Sequence, residues 1–169
     1  MSIFGIFVLR KKNKNRYNMT NDLYNVCEVQ LSYRPHFKAQ ERPQISTSKV
    51  AHQFLLNTWD LSLINYLEQA KLVLLNRNNR VLGLFDLSKG GASQTVLDIT
   101  VILTVALKSA ASSIIVAHNH PSGNLQPSSA DINITKRLDE ACKLIGICLH
   151  DHLVISEDGY LSLAEENYF

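Results

Sequence analysis

Two histidines at alternate positions close an apolar run, and a proline turn and a capped helix start follow them. The segment reads Ile114-Ile115-Val116-Ala117-His118-Asn119-His120-Pro121-Ser122-Gly123, then Pro127-Ser128-Ser129-Ala130-Asp131. No other stretch constrains the fold as strongly. The apolar run reads as a short buried strand. On a strand, side chains at i and i+2 share a face, so both imidazoles can reach one ion while Asn119 points to the opposite face. Ser128-x-x-Asp131 opens an amphipathic helix and returns a carboxylate to the same place. Two histidines and an aspartate suit a catalytic zinc site, where three protein ligands leave a fourth position for water. The residues themselves therefore point to a metal-dependent hydrolase centre.

Asp131 has a second role open to it. Ser128 and Asp131 stand at the spacing of a capping box, the serine at the N-cap and the acid at N3. Spacing alone does not choose between cap and ligand. The two are compatible, because a fixed helix end aims the carboxylate.

Upstream, Ser46-Thr47-Ser48 supplies a helix start, with Val50, Phe54, Leu55 and Trp59 at helical spacing. Leu72 to Leu75 is a strand, turned by Asn76-Arg77-Asn78-Asn79 into a second strand from Val81 to Phe85, a hairpin with a polar turn. Gly90-Gly91 breaks the chain. The segment from Asp98 to Ala111 is ambiguous: its β-branched residues favour strand, its length and the Asp98 cap favour helix. The helix from Ser128 carries Ile134, Leu138, Ala141, Cys142 and Ile145 on one face, with Gly146 as its stop. Ile147 to Leu149 and Leu153 to Ile155 read as two further strands, and Glu157-Asp158-Gly159 turns into Tyr160-Leu161. Strands and helices mix without a regular βα repeat, so an α+β fold around a mixed sheet is expected.

The His118 segment resembles the RadC group of the JAB/JAMM (MPN) metalloprotease superfamily. The family pattern is an upstream glutamate, then His-x-His-Pro, then Ser-x-x-Asp, and its RadC members carry His-Asn-His-Pro-Ser-Gly as here. Asp151-His152-Leu153-Val154-Ile155 is similar to their shared ending. The resemblance runs from about Val26 to the C-terminus, with short stand-alone RadC-like proteins as the best match. It implies a three-layer α+β fold, a mixed sheet flanked by helices in the MPN/JAB, cytidine-deaminase-like architecture, with a helix over Asp98–Ala111. The residues before Ser46 read as an N-terminal arm over 1–45, basic and flexible to about residue 18, which leaves the RadC-like domain at 46–169.

The same resemblance implies a zinc metallopeptidase acting on peptide or isopeptide bonds. Zn2+ would be held by His118, His120 and Asp131, with Ser128 assisting by hydrogen bonding as oxyanion charge develops. The base implied is Glu68, the only glutamate between Trp59 and His118. It matches the family's Glu-x-Phe, with Ala70 in place of the phenylalanine. Asp86 is the next position for a base, though a structural role suits it better. Asp151-His152 offers a carboxylate–histidine contact behind a metal-bound histidine. RadC relatives also carry a DNA-repair label, so the alternative is a non-catalytic metal-binding module associated with DNA repair or mobile-element DNA.

Charge bears on that alternative. The chain has 169 residues and a formal net charge of +2. Arg10, Lys11, Lys12, Lys14 and Arg16 stand in a segment without acids, so residues 19–169 carry 12 basic and 15 acidic groups. A body at −3 offers no general phosphate-binding surface, so a protein or peptide partner is expected over DNA. The resemblance begins after Met19, which is a second candidate start. The three cysteines, Cys27, Cys142 and Cys148, lack Cys-x-x-Cys spacing, which argues for a reducing, cytoplasmic compartment and for packing roles at Cys142 and Cys148. His36, His52 and His150 have no partner visible from spacing. No apolar run approaches a membrane span.

Overall fold

The computed structural model describes residues 38–89 and 97–169. The basic arm, an edge strand expected over Glu28–Tyr33, Cys27, His36 and the break at Gly90-Gly91 fall outside them. The elements are α1 (Ser48–Leu56), β1 (Gln69–Leu75), β2 (Val81–Lys89), α2 (Ile99–Lys108), β3 (Ser113–Asn119), α3 (Ser129–Leu144), β4 (Cys148–Ile155) and β5 (Tyr160–Ser162). The five strands form one sheet in the order β2-β1-β3-β4-β5. Only β3 and β4 run parallel, so the sheet is mixed.

Local chemistry sets the element ends. Thr47 caps α1, its hydroxyl accepting from the Val50 N–H at 3.2 Å. Asp98 caps α2, accepting from the Thr100 N–H at 2.8 Å and also from that of Val101. This cap and the burial of Ile102 and Ala106 outweigh the strand preference of the β-branched run. The hairpin turn is held by Asn76, whose side-chain oxygen accepts from the Asn78 and Arg80 N–H groups, while Asn79 takes a left-handed φ of 54°. Gly146, at φ 72°, ends α3 as expected of a glycine at that position.

Alternation along the strands sorts the core into two faces. Ala70, Leu72, Leu74, Ile114, Val116 and Leu149 pack with Ile102, Ala106, Leu138 and Cys142 of α2 and α3. Val73, Leu75, Ile115, Ala117, Leu153 and Ile155 pack with Ala51, Leu55 and Trp59, on α1 and just beyond it. Helices therefore cover the sheet on both faces, the three-layer α+β arrangement expected.

Three expectations need correction. The segments around Leu149 and Leu153 are one strand, β4, because the carboxylate between them is buried but fully engaged. Asp151 accepts from the Ser162 hydroxyl and the His152 and Ala164 N–H groups, so a charged residue inside the strand is tolerated. Leu149 pairs with Ile114 and Asp151 with Ile115, leaving His150 as an extra, bulged residue. The second correction concerns α3, where Thr135 takes a buried place and Ile145 is left exposed past the helix end. Third, Cys142 is a packing residue but Cys148 is not: it is exposed, with its thiol 3.5 Å from His150 Nδ1.

Candidate metal centre

His118 sits at the end of β3 on the face covered by α2 and α3, in phase with Ile114 and Val116. His120 follows on the same side, and its backbone N–H extends the β3–β4 pairing by donating to the Ile155 carbonyl. The two Nε2 atoms are 3.0 Å apart. The turn Pro121–Pro127 then delivers the N-terminus of α3. Asp131 Oδ1 comes to 3.6 Å from His118 Nε2 and Oδ2 to 4.0 Å from His120 Nε2. Ligand atoms of tetrahedral zinc, bonded at about 2.0–2.1 Å, stand about 3.3 Å apart; the His118–His120 and His118–Asp131 separations are near that size, and the contact from Asp131 to His120 is longer.

Asp131 is held as a capping residue at the same time. It accepts from the Ser128 N–H at 2.7 Å and the Ser128 hydroxyl at 2.5 Å, while the Ser128 oxygen accepts from the Asp131 N–H. Cap and approach to the histidines coexist, because one carboxylate oxygen serves the helix end and the other is turned toward His118.

Glu68 reaches the centre from the opposite direction. It immediately precedes β1, two residues before Ala70, which pairs with His118. Alternation thus gives Glu68 the same face as the histidines. One ligand atom each from Glu68, His118 and His120 lies within 4.8 Å of the other two. The residue stands at the end of a series of turns, not at a helix end. Asp86 is elsewhere, on β2, in an ion pair with Lys71 at 2.5 Å. Of the two neighbouring residues Asp151 and His152, only His152 faces the centre. Asp151 points to the α1 side, into its contacts with Ser162.

The tautomers of both histidines follow from a chain of hydrogen bonds. Thr135, in the first turns of α3, donates its one hydroxyl proton to the Asp131 carbonyl at 2.5 Å. It must then accept from His152 Nδ1, at 2.6 Å. His152 Nε2 is therefore an acceptor, and His118 Nδ1 donates to it at 2.8 Å. That leaves a lone pair on His118 Nε2. His120 Nδ1 faces the Asn124 carbonyl at 2.6 Å, so it carries its proton there and His120 Nε2 also presents a lone pair. Two lone pairs 3.0 Å apart beside a carboxylate form an electron-rich pocket. Among the described residues no lysine or arginine bonds to any of these atoms. The donor set fits a bound cation.

Burial keeps the His118 and His152 rings neutral. Burial lowers the His118 pKa to about 4, against the pull of Asp131 and with the push of His120. Burial also holds His152 well below its usual range, reinforced by His118 and His120. Neutral imidazole is the form that ligates metal.

A family described as the RadC-like JAB domain matches residues 45–168, nearly the whole of this structure. The chain belongs to the RadC-like JAB family. A UPF0758 protein of Porphyromonas gingivalis is 44% identical over 143 residues, which cover 83% of this chain and 62% of that protein. One from Clostridium perfringens is 39% identical over 144 residues, covering 84% and 60%. A third, from Flavobacterium johnsoniae, is 38% identical over 102 residues, covering 60% and 44%. The chain thus spans less than two thirds of these curated relatives' length. The RadC-like JAB family is related to the JAMM metalloproteases, and this member carries a JAMM-like metal-binding domain.

The RadC-like centre opens onto a cleft of about 670 Å³. It is lined by Tyr66 and Glu68 from the segment before β1, and by His120 and the turn that leads to Ser128. Among the described residues Glu68 is the only charged one lining it. Sequence reasoning missed Thr135, which carries no motif, and could not tell which of Asp151 and His152 faces the centre, because the bulge at His150 is not visible in spacing. Among the described residues no helix is long and apolar enough to cross a membrane.

Proposed function

We propose that this protein is a zinc-dependent hydrolase of the JAMM type that cleaves peptide or isopeptide bonds. One observation carries the reading: His118 and His120 turn lone pairs to one point beside Asp131, with the Glu68 carboxylate across from them on the cleft wall. His118, His120 and Asp131 would hold the ion. Zinc there would act as a Lewis acid toward the scissile carbonyl and acidify water to a pKa of about 7.

The chain's own residues supply the proton transfers. Glu68 accepts the proton of the attacking water and returns it to the leaving amine. Ser128 lines the same cleft, and its hydroxyl can rotate onto the carbonyl oxygen as charge develops, because the Ser128 N–H keeps Asp131 in place at 2.7 Å. Among the described residues the lining favours an uncharged main chain: proline and tyrosine surfaces, neutral polar groups, and no lysine or arginine to neutralise a phosphate backbone.

Glu68→Gln tests the assignment, since it keeps the side chain's shape and removes its basicity. The variant is expected to keep its zinc and lose on the order of 10²–10⁴ in rate on any peptide or isopeptide the wild type cleaves. Loss of zinc would make Glu68 a ligand or a fold residue. A wild type that binds zinc but cleaves no member of a broad peptide and isopeptide library would replace the hydrolase with a non-catalytic metal-binding module.

A further inference from the structure

Asn119 stands between the two histidines and points to the other face of the sheet, where it is fully buried. Its carboxamide uses three of its hydrogen-bonding positions on one short segment. The Nδ2 group donates to the Ile64 carbonyl at 2.6 Å and the Leu67 carbonyl at 2.9 Å. The Oδ1 atom accepts from the Gln69 N–H at 2.7 Å. Leu67 and Gln69 are the two neighbours of Glu68. The orientation of the amide is fixed by this environment, because two carbonyls meet one end and an N–H the other.

We infer that Asn119 is a positioning residue for Glu68, clamping the backbone on both sides of it so that the carboxylate is held at the metal centre. The inference rests on the hydrolase reading for its consequence in rate. The segment needs such a clamp. From Asp60 to Leu67 the chain runs through turns, with Leu63 N–H to the Asp60 carbonyl and Tyr66 and Leu67 N–H groups to the Leu63 carbonyl. Among the described residues Glu68 has no strand pairing of its own, since β1 pairs with them only from Gln69 onward. A side chain rooted between His118 and His120 ties the base to the ligands through one rigid strand. The Ile64 and Leu67 carbonyls that it holds bracket Tyr66, a cleft-lining residue that is 76% exposed. Asparagine suits the task because aspartate lacks the two donors and serine is too short to reach three groups.

Asn119→Ala in the full chain tests this. Zinc content should stay at one per chain, and the amides of Val73 and Val116 should stay protected from hydrogen exchange, which shows that the sheet is intact. The Gln69 amide, protected in the wild type, should exchange fast. Turnover should fall about 10²-fold through kcat with little change in KM, the scale of a base displaced by about an ångström. Added to Glu68→Gln, the substitution should cause no further loss. Cobalt-loaded protein gives a readout that needs no substrate: the visible spectrum of Asn119→Ala should move as that of Glu68→Gln does. If alanine does not fold, Asn119→Ser removes the same contacts with a smaller void.

A Gln69 amide that stays protected overturns the clamp. Losses that multiply with Glu68→Gln, or fast exchange with an unchanged rate, overturn its action through Glu68. A wild type that cleaves nothing sinks the hydrolase reading alone, and exchange with the cobalt spectrum then decides the clamp.

Discussion

Thr135→Val replaces one hydroxyl by a methyl of nearly the same volume, two hydrogen bonds behind the histidine proposed to hold the ion. Thr135 is 1% exposed, and its oxygen both donates to the Asp131 carbonyl and accepts from His152 Nδ1. The valine variant leaves His152 two choices. If the ring keeps its proton on Nδ1, a buried N–H goes unpaired at a cost of about 1–3 kcal/mol. If it moves the proton to Nε2, His118 must shift its own proton onto the nitrogen that faces the ion, and zinc has to displace it. The first choice is a loss in both metal-free and loaded protein; the second spares the metal-free protein and weakens binding. Groups behind a metal-bound histidine are typically worth 10–100-fold in affinity, or about 1.4–2.7 kcal/mol. The two magnitudes agree, so the zinc-loaded protein is expected to lose about 1–3 kcal/mol of stability by either route. Competition with a chromophoric chelator gives the zinc affinity, and denaturant titration of both forms gives the division. Thr135→Ser keeps the hydroxyl and should restore affinity. A valine variant equal to wild type in affinity and stability would refute the proton assignment along the whole chain of bonds.

The metal-free domain should lose stability as pH falls from about 6.5 toward 4. His118 is lowered from 6.5 to about 4 by burial, so the unfolded chain binds its proton first and the native advantage, complete above 6.5, is gone below 4. Denaturant midpoints across this range should show a shallower fall in His118→Gln; an equal slope would place the titration elsewhere. Asp131→Ala should lose zinc by elemental analysis and also about 0.5–2 kcal/mol of stability from the helix cap. Near-stoichiometric zinc in that variant would leave Asp131 with the cap alone.

Much of this centre was legible before any coordinates, for a physical reason. His118 and His120 are two apart on a strand, and Asp131 is three residues into a capped helix, so local geometry fixes where each points. Glu68 was legible only through a family resemblance, because its position depends on a loop and on pairing with β3, fifty residues away. Asn119 could be read as facing away from the ion, but not as gripping Ile64, Leu67 and Gln69, since nothing local announces a partner so distant. Asp151 and His152 show the limit most clearly. Spacing put both behind a metal-bound histidine, whereas the sheet sends one to each face.

That division traces back to the bulge at His150 in β4. Strict alternation from Leu149 would have carried Asp151 toward α3 and turned His152 away from His118. The additional residue resets the phase, so both halves of the strand bury their apolar sides correctly and His152 meets its partner. Deleting His150 would give a seven-residue strand in unbroken register with β3 and the same facing for everything after it. The contacts of His152 thus depend on its pairing with Val116 and hardly on how many residues, or which side chain, fill the bulge before it. In this strand, register rather than chain length decides which ring stands behind His118.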